Sequence, residues 1–451
     1  MTSSPTNETE GRRRHRAPLT VPVILIAVFV MPISISGAAL ALPDISRDLG
    51  DAPTALQWVV NGFNVAFAGS ILMWGAIADR LGYKRTFKLG AVVTLVGAVV
   101  SVVAPSLLIL DLGRVVAGVG GAAIVTGGSA LLSTTLSGRQ RAKAFALLGT
   151  VVGLGLAVGP TISGLLVSVT GWKGVFAFAG FIAVVALLAS PAVAADAPRA
   201  EAAKAKMLDL SALSSRRFLA YLLVPVAASL AFVPILTYLP VALSAIAGMD
   251  AAEAGLFMLP LTAPVLIAPA LASMAVARIK WVSAMVVVNI SIGALVLGDL
   301  GLLFFGADTS LALLIAPMIL LGFGFGLPVG LVDAEALSAV PAHKSGAAAG
   351  LLNFVRLGSE AVVVAAYGAI VTALLVSKID DTAFAHEVAA GGAGGATQYA
   401  DSLHTIAIGM VVLTLVVAIA VNLLHLASRN EASPATHVPT LDEEKDAAVG
   451  H

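Results

Sequence analysis

Two ionisable side chains and one amide lie inside a single apolar stretch of this sequence. The stretch SGAAAGLLNFVRLGSEAVVVAAYG places Asn353, Arg356 and Glu360 three and four residues apart, and such residues share one face of an α-helix. Apolar surroundings favour the neutral form of a carboxyl group, whereas a neighbouring cation favours the carboxylate, so such a group can exchange a proton at cellular pH. Glu360 is therefore the leading candidate for a proton carrier. The alternative is a permanently ionised structural pair with Arg356.

A second pair of charges lies in the apolar stretch LDLGRVVAGVGGA, where Asp111 precedes Arg114 by one helical turn. An aspartate and an arginine at this spacing can form an ion pair. Charged side chains inside a membrane are costly and commonly functional, so this pair is also a candidate for proton coupling. The alternative is that both side chains lie near the membrane surface and extend their polar ends to water.

Amide side chains are the candidates for contacting a polar group of a substrate. Gln57, Asn61 and Asn64 recur at the start of one apolar stretch, and Asn353 accompanies Glu360 in another. The chain contains no cysteine, no GxxxxGK[ST] loop and no HExxH motif, and its seven histidines are scattered. We therefore expect no enzyme activity, no cofactor and no metal site.

Membrane-spanning helices are the elements that must position these residues. Hydrophobic residues make up 59% of the 451 positions and charged residues 12%, which leaves too little polar surface to coat a soluble globule. A membrane helix needs about 20 mostly apolar residues. Twelve stretches have that length: 20–42, 57–79, 86–106, 108–132, 143–167, 174–195, 218–243, 253–277, 282–305, 310–336, 346–376 and 402–426. The predicted fold class is an all-α polytopic membrane protein.

A charged, alanine-rich segment at 196–217 divides these helices into two halves of six. The division predicts an N-terminal tail at 1–19, halves at 20–195 and 218–426, and a C-terminal tail at 427–451. With a cytoplasmic N-terminus, 21 of the 26 Lys and Arg residues lie on the cytoplasmic side, so the positive-inside rule predicts that both termini are cytoplasmic in a cell membrane. The lipid bilayer is the expected partner. The net charge of zero gives no indication of nucleic-acid binding, and nothing requires more than a monomer.

The turn between the second and third stretches has the most specific pattern in the chain. It reads GAIADRLGYKR and contains Gly75, Asp79, Arg80 and Gly82. Glycines permit close approach, and Asp79 can cap a helix or pair with a cation, which suits a conformational latch; the alternative is an ordinary interfacial turn. The pattern resembles the signature loop between helices 2 and 3 of the major facilitator superfamily. The resemblance implies a 6+6 fold that works by alternating access, with the substrate near the midplane between the halves.

The fifth stretch, GLGLAVGPTISG, contains Gly155, Gly159, Pro160 and Gly164. Small residues let helices pack closely and proline permits bending, and ordinary packing is the alternative interpretation. The segment resembles the antiporter motif of the superfamily's drug:proton exporters. The surroundings of Arg114 are similar to the arginine motif of these exporters, and those of Glu360 are similar to a coupling helix of tetracycline antiporters.

These resemblances imply a proton-coupled antiporter that exports a hydrophobic or amphipathic drug, antibiotic or metabolite, with a small molecule and protons as its partners. The first stretch has Ser34 and Ser36 in a region where the exporters usually carry an acidic residue, which shifts the expected coupling role toward Glu360 and Asp111. Proton-coupled uptake of a nutrient is the alternative function. A non-transporting receptor with the same fold is the third.

Overall fold

The computed structural model describes residues 6–50, 52–136, 138–193, 210–341 and 345–432, and these residues form helices and loops without a β-strand. The membrane helices are α1 (Thr6–Leu49), α2 (Pro53–Leu81), α3 (Tyr83–Val102), α4 (Leu107–Thr135), α5 (Gly138–Thr170), α6 (Trp172–Ala189), α7 (Arg216–Ala231 and Val233–Ala247), α8 (Ala251–Phe257 and Leu259–Arg278), α9 (Ala284–Gly301), α10 (Ala312–Gly326 and Leu331–Ser338), α11 (Ser345–Lys378) and α12 (Ala396–Ala432). A short helix, Thr382–Ala389, precedes α12.

The predicted all-α membrane fold is confirmed. Among the described residues, ten spans are long and apolar enough to cross a membrane, and α5 is an eleventh when its two parts, which meet at 42°, count as one. The remaining helix, α2, has 29 residues and carries several polar side chains. A predicted stop of the first helix before Pro43 is wrong, because α1 continues to Leu49. Proline removes one helical hydrogen bond, but the turns around it are held by packing, since Leu42 and Ile45 are buried.

The predicted tails and linker fall partly outside the described residues. Of the predicted linker at 196–217, the structure describes 210–217, which contains a short 3-10 helix, Leu210–Ser214, and the start of α7. Helix α12 continues six residues past the predicted boundary at 426. It ends at Ala432, which is also the last residue that the structure describes. The division into two six-helix halves stays a prediction.

The two ends of the bundle differ in how the halves meet. We call the side at which α1 begins the proximal side and the opposite side the distal side. On the distal side, one apolar cluster joins both halves, with Val59 and Trp172 packed in the same core as Leu239. On the proximal side, the buried residues form one cluster in each half, around Phe87 and around Phe218, and Leu337, Phe354 and Leu357 of the C-terminal half pack against the first cluster. The halves therefore share one buried core only on the distal side of the described structure.

The α2–α3 turn on the proximal side consists of a single residue. Gly82 has a φ of 95°, which side-chain-bearing residues rarely adopt. Its N–H donates to the carbonyl of Ala78, and its own carbonyl accepts from the N–H of Thr86. Lys84 then donates to the carbonyls of Pro191 and Val193 just after α6. The turn is thus fixed to the rest of its own half.

Three spans of the C-terminal half are interrupted. Helix α7 breaks at Phe232, α8 breaks at Met258, and α10 breaks after Gly326. The break in α10 ends at Gly330, which has a φ of 76°, and the second part of α10 begins at Leu331. The second part of α10 packs against α11, whereas the first part packs mainly against α8 and α9.

Candidate functional site

Arg356 organises a charged group between α10 and α11. Its guanidinium forms an ion pair with Asp333, with 2.5 Å between Nη2 and Oδ1, and donates a longer bond of 3.4 Å to Oδ1 of Asn353. The two charged side chains are 14% and 13% exposed. A Cβ atom added to Gly149 of α5 would lie 3.3 Å from Oδ2 of Asp333. The ion pair therefore lies where the C-terminal half meets α5 of the other half.

Glu360 lies one helical turn beyond Arg356 on α11. It is 6% exposed, and its Oε1 has no hydrogen-bond partner. Glu360 and Arg356 interact electrostatically, but within the described chain the ion pair of Arg356 is with Asp333 and not with Glu360. The alternative of a permanent pair between Arg356 and Glu360 is therefore absent from this conformation.

A small cavity gives this group room for water. Its volume is about 30 Å³, which is enough for roughly two water molecules. Arg356 and Glu360 line it together with apolar residues of α7 and α10, among them Ala228, Phe325 and Val332. Water in this cavity can carry a proton to or from the carboxyl group of Glu360.

Arg114 is fully enclosed in the N-terminal half, with 1% of its surface exposed. Its Nε donates to the carbonyl of Val59 at 2.8 Å, and its two terminal nitrogens donate to the hydroxyl and carbonyl of Ser34 at 2.9 and 3.0 Å. The guanidinium carbon lies 4.7 Å from the ring centroid of Phe63 and 5.3 Å from that of Phe176. These contacts exclude the alternative in which Arg114 extends to water at the membrane surface.

Asp111 is not the hydrogen-bond partner of Arg114. The bonds of the guanidinium go to Ser34 and Val59, and no ion pair between Asp111 and Arg114 occurs among the described residues. The Oδ1 atom of Asp111 is buried without a partner. The expected ion pair is wrong for this conformation, because Ser34 and a backbone carbonyl satisfy the arginine instead. The two residues still interact electrostatically.

The four predicted substrate-binding amides do not form one site. Gln57 donates to the carbonyl of Gly368 at 3.2 Å, and Asn61 accepts from the hydroxyl of Tyr238 at 3.4 Å. Both contacts join α2 to the C-terminal half on the distal side. Asn353 is 15 residues before Gly368 on α11, which corresponds to about 22 Å along a helix.

Asn64 is the fourth of these amides, and it is fully buried. Its Nδ2 donates to the carbonyl of Val60 at 3.2 Å, while its Oδ1 has no partner. The substrate role of all four amides stays a prediction. The geometry distinguishes a distal pair, Gln57 and Asn61, from a single proximal amide, Asn353.

The small residues of α5 face two different helices. A Cβ atom on Gly155 would lie 2.9 Å from Pro32, and one on Gly159 would lie 2.7 Å from Ser36, both on α1. A Cβ on Gly164 would lie 2.4 Å from the carbonyl oxygen of Ala251 on α8, in the other half. The segment therefore packs within its own half through its first glycines and across the halves through its last.

Two further contacts complete this crossing of α5 and α8. Thr161 donates to the carbonyl of Gly255 at 3.0 Å. A Cβ atom on Gly255 would lie 2.8 Å from the carbonyl oxygen of Pro160. Such close approach of two helix backbones requires small residues on both sides, so this crossing closes the distal side tightly.

The predicted latch can be described only in part. Gly75 is buried, Gly82 makes the turn described above, and Arg80 is exposed with an interaction of its own. The side chain of Asp79 lies outside the described part of the structure. The latch role therefore stays a prediction.

Neither Asp333 nor Asp299 is among the site residues predicted from sequence. Asp333 is the third residue of the second part of α10. The sequence feature that could have indicated its role is the glycine-rich segment just before it. Asp299 is a lone acidic residue in the apolar stretch 282–305, which is the signal that could have found it. Among the residues that the structure describes, no group of three or more His, Cys, Asp or Glu side chains could hold a metal ion.

Comparison with known proteins identifies the family. The sequence profile described as "Major Facilitator Superfamily" matches residues 24–364. The chain belongs to the Major Facilitator Superfamily. It is therefore a multi-pass membrane transporter of small substrates and not an enzyme, and the family assignment predicted from the α2–α3 turn is confirmed.

Three similar proteins represent these matches. The uncharacterized transporter YebQ of Escherichia coli (strain K12) is 27% identical over 82% of this chain and 90% of its own length. The tetracenomycin C resistance and export protein of Streptomyces glaucescens is 31% identical, over 42% of this chain and 35% of its own. A bacterial homolog of the human lysosomal transporter Spinster, in an inward-facing and occupied conformation, has a TM-score of 0.66 and 16% identity, covering 91% of this chain and 97% of its own. That structural likeness shows the fold.

Proposed function

We propose that this transporter exports a hydrophobic or amphipathic small molecule, such as a drug, an antibiotic or a metabolite, in exchange for protons that enter the cell. The observation that carries the proposal is Glu360, a buried carboxyl group with an unpartnered oxygen beside an arginine that another carboxylate already occupies. The similarity to a resistance and export protein supports the outward direction. The small-residue segment of α5 supports it as well.

Arg356 is the residue through which proton binding acts on conformation. While Asp333 holds the guanidinium, Glu360 lacks a counter-ion, and a neutral, protonated acid is the cheaper buried state. When the halves move and the pair with Asp333 opens, Arg356 is free to pair with Glu360, which favours release of its proton. One arginine thus alternates between two carboxylates as the proton comes and goes.

The orientation gives these steps a direction. We propose that both termini are cytoplasmic, so the proximal side faces the cytoplasm and the distal side faces outward. The α5–α8 crossing and the Gln57 and Asn61 contacts then close the outer side in this conformation. Each proton that enters supplies about 2.3 kcal/mol per 100 mV of membrane potential. The protein acts as a monomer, with Asp79 and its turn as the latch on the cytoplasmic side.

Proton release from inside-out membrane vesicles tests the proposal. A pH-sensitive dye reports the proton flux while ethidium, other lipophilic cations and a panel of antibiotics are added one at a time. Wild-type protein is expected to release protons with at least one compound, and Glu360→Gln is expected to abolish this response. The matched control is Glu387→Gln, which changes an exposed acid outside the membrane helices.

Three results would contradict parts of the scheme. Substrate-driven proton flux of equal size in wild type and Glu360→Gln would remove Glu360 as the carrier. Proton movement together with substrate into the cell would replace export by nutrient uptake. Substrate movement at the same steady-state gradient with and without a proton gradient would remove the coupling.

A further inference from the structure

A lone aspartate lies near the distal end of α9, outside the group around Arg356. Asp299 has 0% of its surface exposed, and neither of its carboxyl oxygens has a hydrogen-bond partner. Helices α9 and α10 pack closely around it, since a Cβ atom on Gly298 would lie 2.6 Å from Cγ of Leu321. Burying an ionised carboxylate without partners costs far more than burying the neutral acid. The enclosed form of Asp299 therefore carries a proton.

Tyr367 belongs to a group of three tyrosines and interacts with Asp299. Tyr367 of α11 interacts electrostatically with Asp299, and also with Tyr238 of α7 and Tyr399 of α12. The hydroxyl of Tyr399 is buried without a partner. No described lysine, arginine or histidine forms an ion pair with Asp299, so the aspartate differs from Glu360, which has an arginine one turn away.

The remaining elements around α9 contribute little charge. His404 of α12 forms a hydrogen bond of 2.8 Å with the carbonyl of Phe305 just beyond α9. The first part of α10, Ala312–Gly326, contains no titratable side chain. A change in the protonation of Asp299 is therefore not offset by a neighbouring cation.

The tyrosines connect Asp299 to the distal contact between the halves. The rings of Tyr238 and Tyr367 stack with centroids 5.0 Å apart and an interplanar angle of 24°. Tyr238 donates to Asn61 of the other half at 3.4 Å. Opening the distal side separates α2 from α7 and α11, which breaks this contact and admits water to the tyrosine hydroxyls. Protons from the distal side then have a route to Asp299.

We propose that Asp299 is a second proton-binding site, which takes up a proton when the distal side opens and encloses it when that side closes. Its part in coupling rests on the proposed function. In the uptake step a proton from distal water forms an O–H bond with the carboxylate, and in the release step the same bond breaks and the proton returns to water.

Infrared spectroscopy of the full-length protein in lipid vesicles tests the site without a transported substrate. A protonated carboxyl group has a C=O stretching band separate from that of the carboxylate. Wild-type protein is expected to show this band at neutral pH and to lose it as the pH is raised. Because a protonated Glu360 also contributes to this band, the signal of Asp299 is the difference between wild type and Asp299→Asn, and Asp299→Glu should shift that difference. The control is Asp308→Asn, an exposed acid in the loop after α9, which should keep the wild-type band.

Each outcome decides the proposal. A difference between wild type and Asp299→Asn that disappears at alkaline pH supports a site that exchanges protons. A difference that stays constant at all pH values shows a permanently neutral structural acid and overturns the proposal, as does the absence of any difference. The vesicle experiment with ethidium and antibiotics separates this result from the proposed function. A titrating band without compound-driven proton release would keep the proton site and reject the export scheme.

Discussion

The Asp333–Arg356 pair gives a quantitative test of the idea that two carboxylates share one arginine. Removing one partner of a buried ion pair typically costs about 3–5 kcal/mol, because the other charge stays buried and uncompensated. In Asp333→Asn, however, Glu360 lies one turn from Arg356 and can take over the guanidinium. We therefore expect the cost of Asp333→Asn alone to fall below about 3 kcal/mol.

The double variant Asp333→Asn/Glu360→Gln leaves Arg356 with no carboxylate. Its cost is expected to exceed the sum of the two single variants by about 1–3 kcal/mol, the range of coupling between residues of one charge network. This corresponds to roughly a 5- to 150-fold change in the unfolding equilibrium constant. The four proteins are compared by reversible unfolding in mixed detergent micelles, followed by tryptophan fluorescence.

A matched control lies on the same part of α10. Glu335 forms an ion pair of 2.7 Å with Arg217, whose side chain is 48% exposed, and an exposed pair contributes about 0–1 kcal/mol. Glu335→Gln should therefore change the free energy of unfolding little. Additivity of Asp333→Asn and Glu360→Gln within about 0.5 kcal/mol would refute the shared arginine, because it would mean that neither carboxylate compensates for the loss of the other.

Two further predictions concern the distal side and the orientation, and both use the absence of native cysteines. Gly164→Ala places a Cβ 2.4 Å from a carbonyl oxygen of α8, so we expect it to open the distal side and to speed maleimide labelling of a cysteine at Gln57. Gly153→Ala should not have this effect, because the atom nearest to its new Cβ would be 3.9 Å away. Equal labelling rates in the two variants would contradict the closure of the distal side by α5 and α8. An impermeant maleimide added to intact cells should label Asp308→Cys and not Lys280→Cys, and the reverse pattern would invert the proposed orientation.

The fold was predictable from sequence because its signals are local. Apolar stretches of membrane length and the turn at Gly82 each follow from a few consecutive residues. The interruptions of α7, α8 and α10 were not predicted, because a proline or glycine in an apolar stretch is compatible with either a continuous or a broken span. The continuation of α1 through Pro43 was not predicted for the same reason, since a proline is also compatible with a continuous helix.

The candidate site was predictable in its residues but not in its pairings. Arg356 and Glu360 stand out in sequence because charges inside apolar stretches are rare. Their sequence spacing favoured a pair with each other, yet the guanidinium binds Asp333, which is 23 residues away. Similarly, Arg114 binds Ser34 across 80 residues instead of Asp111. Spacing along one helix cannot reveal a competing partner that tertiary packing brings from another helix.

The uneven distribution of helix breaks gives the two halves different mechanical properties. The described N-terminal half has one sharp bend, in α5, and a one-residue turn that holds the ends of α2 and α3 next to each other. The C-terminal half has three spans that can flex internally, at Phe232, Met258 and the segment before Gly330. We expect bending during transport at the α5 bend in the first half and at these three interruptions in the second. Glu360 lines its cavity together with Pro328 and Val329, which belong to the interruption of α10, so we expect a proton bound at Glu360 to act first on this interruption.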